Sequence, residues 1–475
     1  MWITVGNLNS KLTQATDEER NWLNDYLSFS STQFRKGAPP ITRVERMFSI
    51  VSQTFPSGFV SMVQRAAQSQ EKTGTKLGFR VDLIDSRKIP CVPGVDADLA
   101  WLRDYQLDAA HQVAKDTRGI ISAPTGSGKG EIVVGLAVHL PCRWGFFVHR
   151  MQLVDDIADR YERRTGLIAG RIGEGAWDAP DEAQLVCMSF KSVYEALQRG
   201  DQRAIDLVKS FDGIMVDECH TLPAGTFYAT VQAASNAYYR VGLSGTPLAR
   251  GDKRSILAIA ALGPVIYRIP AQLLIARGVL AKPKIRFVTV VQMTQRPTWQ
   301  GVYGELVVRS AKRNAVVVDI CRQATQPGLV FVKEEKHGHE LSSLIRRAGF
   351  KCEFVWGNHS TESRKRYLDR LMKGHFDFIV CSSIFQEGID SPGLRSVINA
   401  AGGKSTIATL QRAGRGMRVD RDVDGNVKDG GDEFESWDIH DRGNTMLERH
   451  AKARVKSYQA EGHEVLIQQP SAIGK

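Results

Sequence analysis

The sequence lacks the features of disulfide-bonded secreted proteins, zinc proteins and helical membrane proteins. Its seven cysteines are scattered, odd in number and never arranged as Cys-x-x-Cys, which favours a reducing compartment over a disulfide framework or zinc site. No segment approaches about 18 uninterrupted apolar residues. Residues 1–6 also lack the basic-then-apolar pattern of a signal peptide. We therefore expect a cytoplasmic, soluble protein without a membrane partner.

Acidic residues are in the minority, with 52 Asp and Glu against 63 Lys and Arg and a net charge of +11. This balance suggests a polyanionic partner such as nucleic acid, although a merely basic soluble enzyme would show it too. The 475 residues are too many for one hydrophobic core and predict two or three domains.

Residues 1–92 carry no phosphate-binding pattern and predict a small α+β domain. Two helical patterns, the first capped by Thr16, and one alternating strand pattern occur at residues 17–27, 57–70 and 79–85. Proline and glycine between residues 90 and 94 mark the boundary. Two roles remain open for this domain, recognition of duplex or junction DNA and a scaffold role.

Beyond residue 92, short apolar strands alternate with helical stretches, and the pattern restarts after Arg296-Pro297. Apolar runs such as residues 213–217 are typical of strands buried on both faces, and their alternation with helices predicts parallel sheets. We therefore predict two consecutive α/β domains, at residues 93–282 and 283–475. Near the end, residues 420–435 predict an exposed turn or hairpin, and residues 444–460 a basic helix.

The segment Ala123-Pro-Thr-Gly-Ser-Gly-Lys129 has the strand, glycine loop and helix context of a phosphate-binding loop. Gly126 and Gly128 let backbone amides turn toward phosphate oxygens, and Lys129 reaches the terminal phosphates. We expect the loop to bind ATP through Pro124, Thr125, Gly126, Ser127, Gly128, Lys129 and Gly130.

Gly130 departs from the usual pattern, because Ser or Thr normally supplies a hydroxyl to Mg²⁺ at this position. The metal would then rely on phosphate oxygens, water and Asp217, and a minor contribution from Glu131 is also open. We expect weaker Mg²⁺ binding than in a typical phosphate-loop ATPase.

Two carboxylates follow an apolar run in Val216-Asp-Glu-Cys-His220. Open α/β sheets place their ligands at the carboxyl ends of strands. Asp217 is expected to hold the metal, directly or through water, while Glu218 orients and deprotonates the attacking water. His220 could bridge this site to a neighbouring loop.

Residues 411–418 read Gln-Arg-Ala-Gly-Arg-Gly-Met-Arg. Their spacing places Arg415 and Arg418 on one helical face, and arginine binds phosphate through paired hydrogen bonds while staying charged. Beside a nucleotide site, these side chains could stabilise a transferring phosphoryl group.

The order of these segments, with Ser244-Gly-Thr-Pro247 between the carboxylates and the arginines, resembles that of superfamily 2 helicases. The resemblance covers about residues 97–460 and implies two RecA-like motor domains. It implies catalytic roles for Gln411 and the arginine fingers Arg415 and Arg418. Ser244, Gly245 and Thr246 would couple hydrolysis to strand movement. The resemblance further implies nucleotide contacts by Arg103, Gln106, Gly388 and Asp390.

Residues 262–268, 274–280 and 437–450 resemble the branch that contains UvsW-type phage helicases. This resemblance implies an enzyme active on forked and branched DNA, moving 3′-to-5′ with ATP and Mg²⁺. It would act as a monomer, in the host cytoplasm if a phage encodes it. Its protein partners are unknown.

Superfamily 2 helicases grip successive phosphates of one strand with loops of both motor domains. The matching positions here are His149, Arg150, Arg171, Gly173, Ser189, Lys191, Lys333, Asn358, Ser382 and Ser383. Such contacts would read the backbone rather than the base sequence and would weaken with salt.

Three other functions stay open. The motor motifs do not distinguish sugars, so an RNA helicase is one alternative. A second is the motor subunit of a restriction-type complex, although this chain contains no evident nuclease cluster. A binding module without enzymatic activity is the third.

Overall fold

The computed structural model describes residues 1–35, 38–70, 80–91, 98–149, 151–222, 225–246, 255–357, 360–382, 393–405, 414, 417, 419–422, 426–428 and 430–469. The chain forms two compact units. One comprises Met1–Ala123 and Gly128–Ile269, and the other Pro124–Ser127 and Pro270–Lys475.

The first unit begins with a small α+β region. Its strands are β1 (Trp2–Val5), β2 (Asn9–Gln14), β3 (Ser28–Arg35), β4 (Ala38–Arg46), β5 (Thr54–Pro56) and β6 (Asp82–Asp85), and its helices are α1 (Asp17–Tyr26) and α2 (Val60–Gln70). One sheet has the order β5-β2-β1-β6, while β3 and β4 pair as a separate antiparallel ribbon. Both predicted helices and the predicted strand are confirmed. Thr16 caps α1 in a reciprocal capping box with Glu19.

The larger sheet of the first unit contains eight strands. They are β7 (Arg118–Ser122), β8 (Trp144–Val148), β9 (Ala169–Gly173), β10 (Ala176–Asp178), β11 (Leu185–Ser189), β12 (Gly213–Asp217), β13 (Tyr239–Ser244) and β14 (Val265–Arg268). Their order is β10-β9-β11-β8-β12-β13-β7-β14, and only the β9–β10 pair is antiparallel. The phosphate loop therefore leaves an interior strand.

Helices follow most of these strands in the sequence. They are α3 (Asp104–Asp116), α4 (Lys129–His139), α5 (Met151–Thr165), α6 (Phe190–Gln198), α7 (Gln202–Ser210), α8 (Gly225–Ala233) and α9 (Ile256–Leu262). Fully buried Arg240 donates hydrogen bonds to the carbonyls of Val231, Ala234 and Ala261, near the ends of α8 and α9. Carbonyls at helix ends lack partners within the helix, so the guanidinium satisfies them and is itself solvated by them.

The N-terminal region and the larger sheet share apolar packing through α9. Ile256, Ile259 and Ala260 of α9 belong to the same buried cluster as Ile3, Leu23 and Phe59. At Gly58, an added Cβ would lie 1.9 Å from the carbonyl oxygen of Ile259. This close approach requires glycine, and it places the N-terminal region directly against a helix of the larger α/β fold.

The second unit contains a seven-stranded sheet in which every pairing is parallel. Its strands are β15 (Lys282–Val291), β16 (Gly328–Phe331), β17 (Cys352–Val355), β18 (Phe378–Cys381), β19 (Ser396–Asn399), β20 (Glu433–Arg442) and β21 (Val465–Gln468), in the order β17-β18-β16-β19-β20-β15-β21. Its helices are α10 (Ala271–Ala276), α11 (Trp299–Tyr303), α12 (Ala311–Gln323), α13 (Glu335–Arg347), α14 (Thr361–Met372) and α15 (Thr445–Ala460).

The predicted fold class is confirmed: the protein is α/β, with two RecA-like domains built on parallel sheets. The basic helix predicted at 444–460 is α15, capped by the Asn444 side chain. Within the turn or hairpin predicted at residues 420–435, Arg421 and Val427 form an antiparallel bridge, whereas residues 433–435 belong to β20, where Phe434 is buried. Among the described helices, none is long and apolar enough to cross a membrane.

Substituting Gly58 with alanine should destabilise the first unit by about 2–3 kcal/mol, since the new methyl overlaps a backbone oxygen that cannot rotate away. Gly225→Ala is the matched control, because an added Cβ there meets nothing within 4 Å. Urea unfolding of both variants measures the difference. Equal unfolding midpoints would show that the contact between residue 58 and α9 does not constrain the fold.

We expect His337 to make the second unit sensitive to acid. It is fully buried on α13, 3.0 Å from Oδ1 of Asn314, and burial together with the charge of Arg313 lowers its pKa from 6.5 to about 3. Below pH 6.5, His337 binds a proton in the unfolded chain but stays neutral in the folded chain. The unfolding free energy should therefore fall by about 2 kcal/mol at pH 5.

The variant His337→Gln keeps an amide donor near Asn314 and removes the titrating ring. Unfolding measured between pH 7.5 and 5 should show a flatter dependence for this variant than for the wild type. Parallel pH profiles of the two proteins would assign the acid sensitivity to other groups.

Candidate active site

The phosphate loop connects β7 to α4, as its sequence predicts. Gly126 and Gly128 have φ values of +85° and +82°, a region that residues with a Cβ rarely adopt. The loop is fixed at its start, where the amide of Ala123 donates to the carbonyl of Ser244 at 2.9 Å. Lys129 is the first residue of α4, so the amides of a helix N-terminus open toward the loop.

Gln106 of α3 lies against this loop. Its Nε2 is 3.5 Å from the carbonyl oxygen of Gly128, and its Oε1 accepts a hydrogen bond from the backbone amide of Arg103 at 3.0 Å. A Cβ on residue 128 would come within 2.4 Å of Nε2 of Gln106. Glycine is therefore favoured at position 128 by the backbone conformation, and a larger residue would also displace this amide. The contact of Gln106 with a base stays a prediction.

Four polar side chains meet at the carboxyl end of β12. Glu218 has a left-handed conformation, with φ of +46°, at the start of a short 3₁₀ turn, Cys219–Thr221. Its Oε1 lies 3.6 Å from Nζ of Lys129. Its Oε2 lies 3.1 Å from Nδ1 of His220 and accepts a hydrogen bond from Oγ of Ser244 at 3.3 Å. The Nδ1 atom of His220 also lies 3.0 Å from Oγ of Ser244, at the end of β13. This contact corresponds to the bridge that the sequence suggests between His220 and a neighbouring segment.

The two adjacent carboxyl groups differ in how readily they ionise. Burial, followed by the charge of Glu218, raises the pKa of Asp217 to about 6. Burial would also raise the pKa of Glu218, but the positive charge of Lys129 and the hydrogen bond from His220 outweigh it and lower that pKa to about 2. Glu218 is thus held as an anion, whereas Asp217 is a carboxyl group that a bound cation would keep ionised.

Packing between helices leaves little space for a side chain at position 130. A Cβ on Gly130 would lie 2.8 Å from Cδ1 of Ile157 on α5. The neighbouring Glu131 forms ion pairs with Arg160 and Arg164 of the same helix. The Glu131 carboxylate is therefore paired with two guanidinium groups. These ion pairs would have to break before Glu131 could contribute to Mg²⁺ binding.

Metal ligands are sparse in this part of the protein. Across the described ranges, no group of three or more His, Cys, Asp and Glu side chains could hold a metal ion. The residues present fit a nucleotide-bound Mg²⁺ better, because Asp217 is one protein oxygen ligand and phosphate and water would supply the others. The glycine cradle before Lys129 fits the phosphates themselves.

Several residues predicted to touch nucleic acid have protein partners in the first unit. Arg171 on β9 binds Asp159 and Glu162 at 2.7 and 2.8 Å, so these ion pairs would have to break before it could bind phosphate. His149 follows β8 and contacts the hydroxyl of Thr221. A Cβ on Gly173 would overlap Met151. Each of these roles stays a prediction.

The other predicted contact positions differ in exposure. Ser189 ends β11 and Ser382 follows β18, and both are buried. Lys191 is exposed on α6 and lies 3.9 Å from Glu195. Lys333 follows β16, with its ammonium 5.3 Å from the centre of the Tyr303 ring.

Eight predicted site residues lie outside the residues that the structure describes. They are Arg150, Asn358, Ser383, Gly388, Asp390, Gln411, Arg415 and Arg418.

Thr221 has a connection that the sequence motifs do not reveal. Its hydroxyl donates to the carbonyl of Glu218 at 2.9 Å and also contacts His149. It therefore links the acidic pair to a position expected to grip a nucleic-acid strand. Only the 3₁₀ turn after Glu218 brings these groups together, and no local pattern predicts that turn.

Two sequence families match the chain in tandem. Residues 100–249 match the family described as Type III restriction enzyme, res subunit, and residues 311–420 match the Helicase conserved C-terminal domain.

Individual relatives are distant. The chain is 25% identical to Putative helicase 22 of a Sulfolobus islandicus filamentous virus, over 67% of this chain and 62% of that protein. It is 24% identical to the DNA 3′-5′ translocase XPB2 of Sulfurisphaera tokodaii, over 71% and 82%. It is also 24% identical to the ATP-dependent DNA helicase uvsW of Enterobacteria phage T4, over 66% and 65%. The chain thus spans less than two thirds of the viral and phage relatives.

A solved structure shares the fold. The ATP-dependent Type ISP restriction-modification enzyme LlaBIII bound to DNA superposes with a TM-score of 0.55 at 15% identity, over 78% of this chain and 32% of that one. The two matched families together cover more than half of the present chain, in the order of a two-domain motor. The chain belongs to the superfamily 2 helicases and resembles their UvsW-type members.

Proposed function

We propose that the protein is an ATP-driven DNA translocase that unwinds or branch-migrates forked and junction DNA with 3′-to-5′ polarity. The observation that carries this proposal is the half-buried Glu218 anion, held by Lys129 on one side and by His220 and Ser244 on the other. The names of the relatives, which include DNA helicases and a 3′-5′ translocase, support DNA as the substrate.

Each residue of this cluster has a distinct role in the proposed hydrolysis. Lys129 and the amides of the glycine loop bind the terminal phosphates, and Glu218 orients the attacking water and accepts its proton. His220 and Ser244 fix the Glu218 carboxylate in place. Asp217 would hold Mg²⁺, which when bound neutralises charge on the phosphates. Arg415 and Arg418 would add positive charge at the phosphoryl group.

The segment from Ser244 to Thr246 provides a route for coupling within the first unit. Oγ of Ser244 contacts Glu218 and also accepts a hydrogen bond from the Thr246 amide at 3.1 Å. Any displacement of this segment therefore changes the anchoring of the catalytic carboxylate. We infer that movement of a bound strand alters hydrolysis through this contact.

A second candidate function is the motor subunit of a restriction-type complex. The family matched by residues 100–249 is described as a restriction enzyme subunit, and this description favours the alternative. An isolated motor subunit would move on DNA but show its full activity only beside a nuclease. ATP turnover and unwinding by the purified single chain separate the two functions.

Replacing the central residues should abolish ATP turnover. Lys129→Ala and Glu218→Gln should each lower kcat by about 100-fold or more, since both remove charge from the reacting groups. Glu218→Gln should still bind nucleotide, whereas Lys129→Ala should bind it weakly. Glu182→Gln, at an exposed carboxylate of the same unit, is the control. Turnover of the Lys129 and Glu218 variants within twofold of the wild type would end the motor hypothesis.

The substrate is tested with the wild type and Glu218→Gln on one panel. It contains forks, Holliday junctions, displacement loops, linear duplexes and RNA hybrids of matched length. The proposal requires ATP-dependent separation of forked or junction DNA in preference to linear duplex. Preference for the RNA hybrids would instead establish an RNA helicase.

Restoring a hydroxyl at position 130 should strengthen Mg²⁺ binding if space is made for it. Ile157→Val removes the Cδ1 atom that an added Cβ would meet at 2.8 Å. In the double variant Gly130→Ser and Ile157→Val, the Mg²⁺ concentration for half-maximal ATPase should fall several-fold relative to Ile157→Val alone. An unchanged requirement would show that Gly130 does not limit metal binding.

A further inference from the structure

Three side chains from separate helices hold the four residues that follow β19. Arg313 of α12 donates to the carbonyl of Ala400 at 2.7 Å, and the hydroxyl of Tyr303 donates to that of Ala401 at 3.0 Å. Arg454 of α15 donates to the carbonyl of Gly403 at 2.5 Å. We name Tyr303, Arg313 and Arg454 the carbonyl clamp. Three carbonyls within four residues rarely receive this many side-chain donors, since most backbone groups pair within secondary structure.

The two arginines of the carbonyl clamp are fixed by buried acids. Nε of Arg313 lies 3.0 Å from Asp441, and Nε of Arg454 lies 3.0 Å from Asp438. Side chains of all four residues are almost completely buried. Removing any one of them would leave an uncompensated charge in the interior, so these residues form the immobile part of the clamp.

Tyr303 is the neutral member, and it makes a second contact. Its ring faces the ammonium of Lys333, with Nζ 5.3 Å from the ring centre. Such a cation attracts the π face of an aromatic ring, and the attraction weakens once an anion binds the cation. The ring of Tyr303 therefore contacts Lys333, which is predicted to bind phosphate, and its hydroxyl contacts the segment after β19.

The segment after β19 leads along the sequence to residues 411–418. Gly402 has a φ of +61°, which glycine adopts readily, so the chain turns at this point, between the supported carbonyls of Ala401 and Gly403. A change in the hydrogen bond to Ala401 is transmitted to the backbone rather than to a side chain. Small shifts of such a support can alter the chain that follows it, because packed interiors adopt discrete arrangements.

We propose that Tyr303 is a positioning residue that transmits strand binding at Lys333 to residues 400–403. The proposal rests on the proposed function and identifies how nucleic acid regulates hydrolysis in it. A phosphate that draws the Lys333 ammonium from the ring releases one contact of Tyr303. The hydroxyl bond to Ala401 then changes, and with it the support of the segment that precedes the predicted arginines.

Tyr303→Phe tests this inference, because it keeps the ring beside Lys333 and removes only the hydroxyl. Tyr458→Phe is the matched control: Tyr458 is equally buried in the second unit, and its hydroxyl lies 3.1 Å from that of Ser436. Both variants should lower the melting temperature by a similar amount. Only Tyr303→Phe should reduce the stimulation of ATP turnover by single-stranded DNA, by about fivefold or more.

Hydrogen exchange gives a readout that does not depend on turnover. Amides of residues 399–405 are followed without nucleotide, with and without an oligothymidylate. The wild type and Tyr458→Phe should show a DNA-dependent change there, whereas Tyr303→Phe should bind the oligonucleotide with similar affinity and show none. An equal change in Tyr303→Phe, or no change in the wild type, overturns the inference.

The two readouts separate this inference from the proposed function. If wild-type turnover is not stimulated by DNA or RNA, the motor hypothesis fails, and exchange at residues 399–405 still decides the role of Tyr303. If turnover is stimulated equally in Tyr303→Phe and wild type, the motor hypothesis survives and the inference is wrong.

Discussion

The half-buried carboxylate of Glu218 is the constraint on which the active-site end of the first unit depends. A partly desolvated anion needs compensating partners, and Lys129, His220 and Ser244 supply them from three segments. The strand order β12-β13-β7 places the ends of these segments side by side. The sheet topology therefore brings together the groups that compensate the charge of Glu218. Their contacts with Glu218 in turn hold the ends of these loops next to one another.

In the second unit too, charged side chains are compensated by partners from several segments. Asn399 at the end of β19 donates to Asp438 on the neighbouring β20, and Arg454 completes the group from α15. Here the compensated charges hold backbone carbonyls instead of the Glu218 carboxylate. In both units, adjacent parallel strands carry polar groups to one edge, and helices or loops neutralise them there. Stability and function therefore draw on the same interactions.

Structural features that depend only on the local sequence pattern can be predicted from the sequence. The apolar runs became strands, Thr16 caps its helix, and the glycine loop joins strand to helix. It does not predict β15, since Lys-Pro-Lys at its start conceals a ten-residue strand. Nor does it predict that Arg171 is paired with Asp159 and Glu162. Those partners are set by the packing of α5 on β9, which no local pattern specifies.

Gly130 shows why a motif cannot be interpreted apart from its packing. From the sequence alone, Gly130 lacks the hydroxyl that would bind Mg²⁺, and the neighbouring Glu131 is a candidate to replace it. In the structure, Ile157 approaches residue 130 so closely that its Cδ1 would have to shift to admit a side chain, and Arg160 and Arg164 bind the Glu131 carboxylate. One helix, α5, therefore both limits the space at position 130 and pairs with the carboxylate of its neighbour. The chemistry at this position is determined by how α4 and α5 pack.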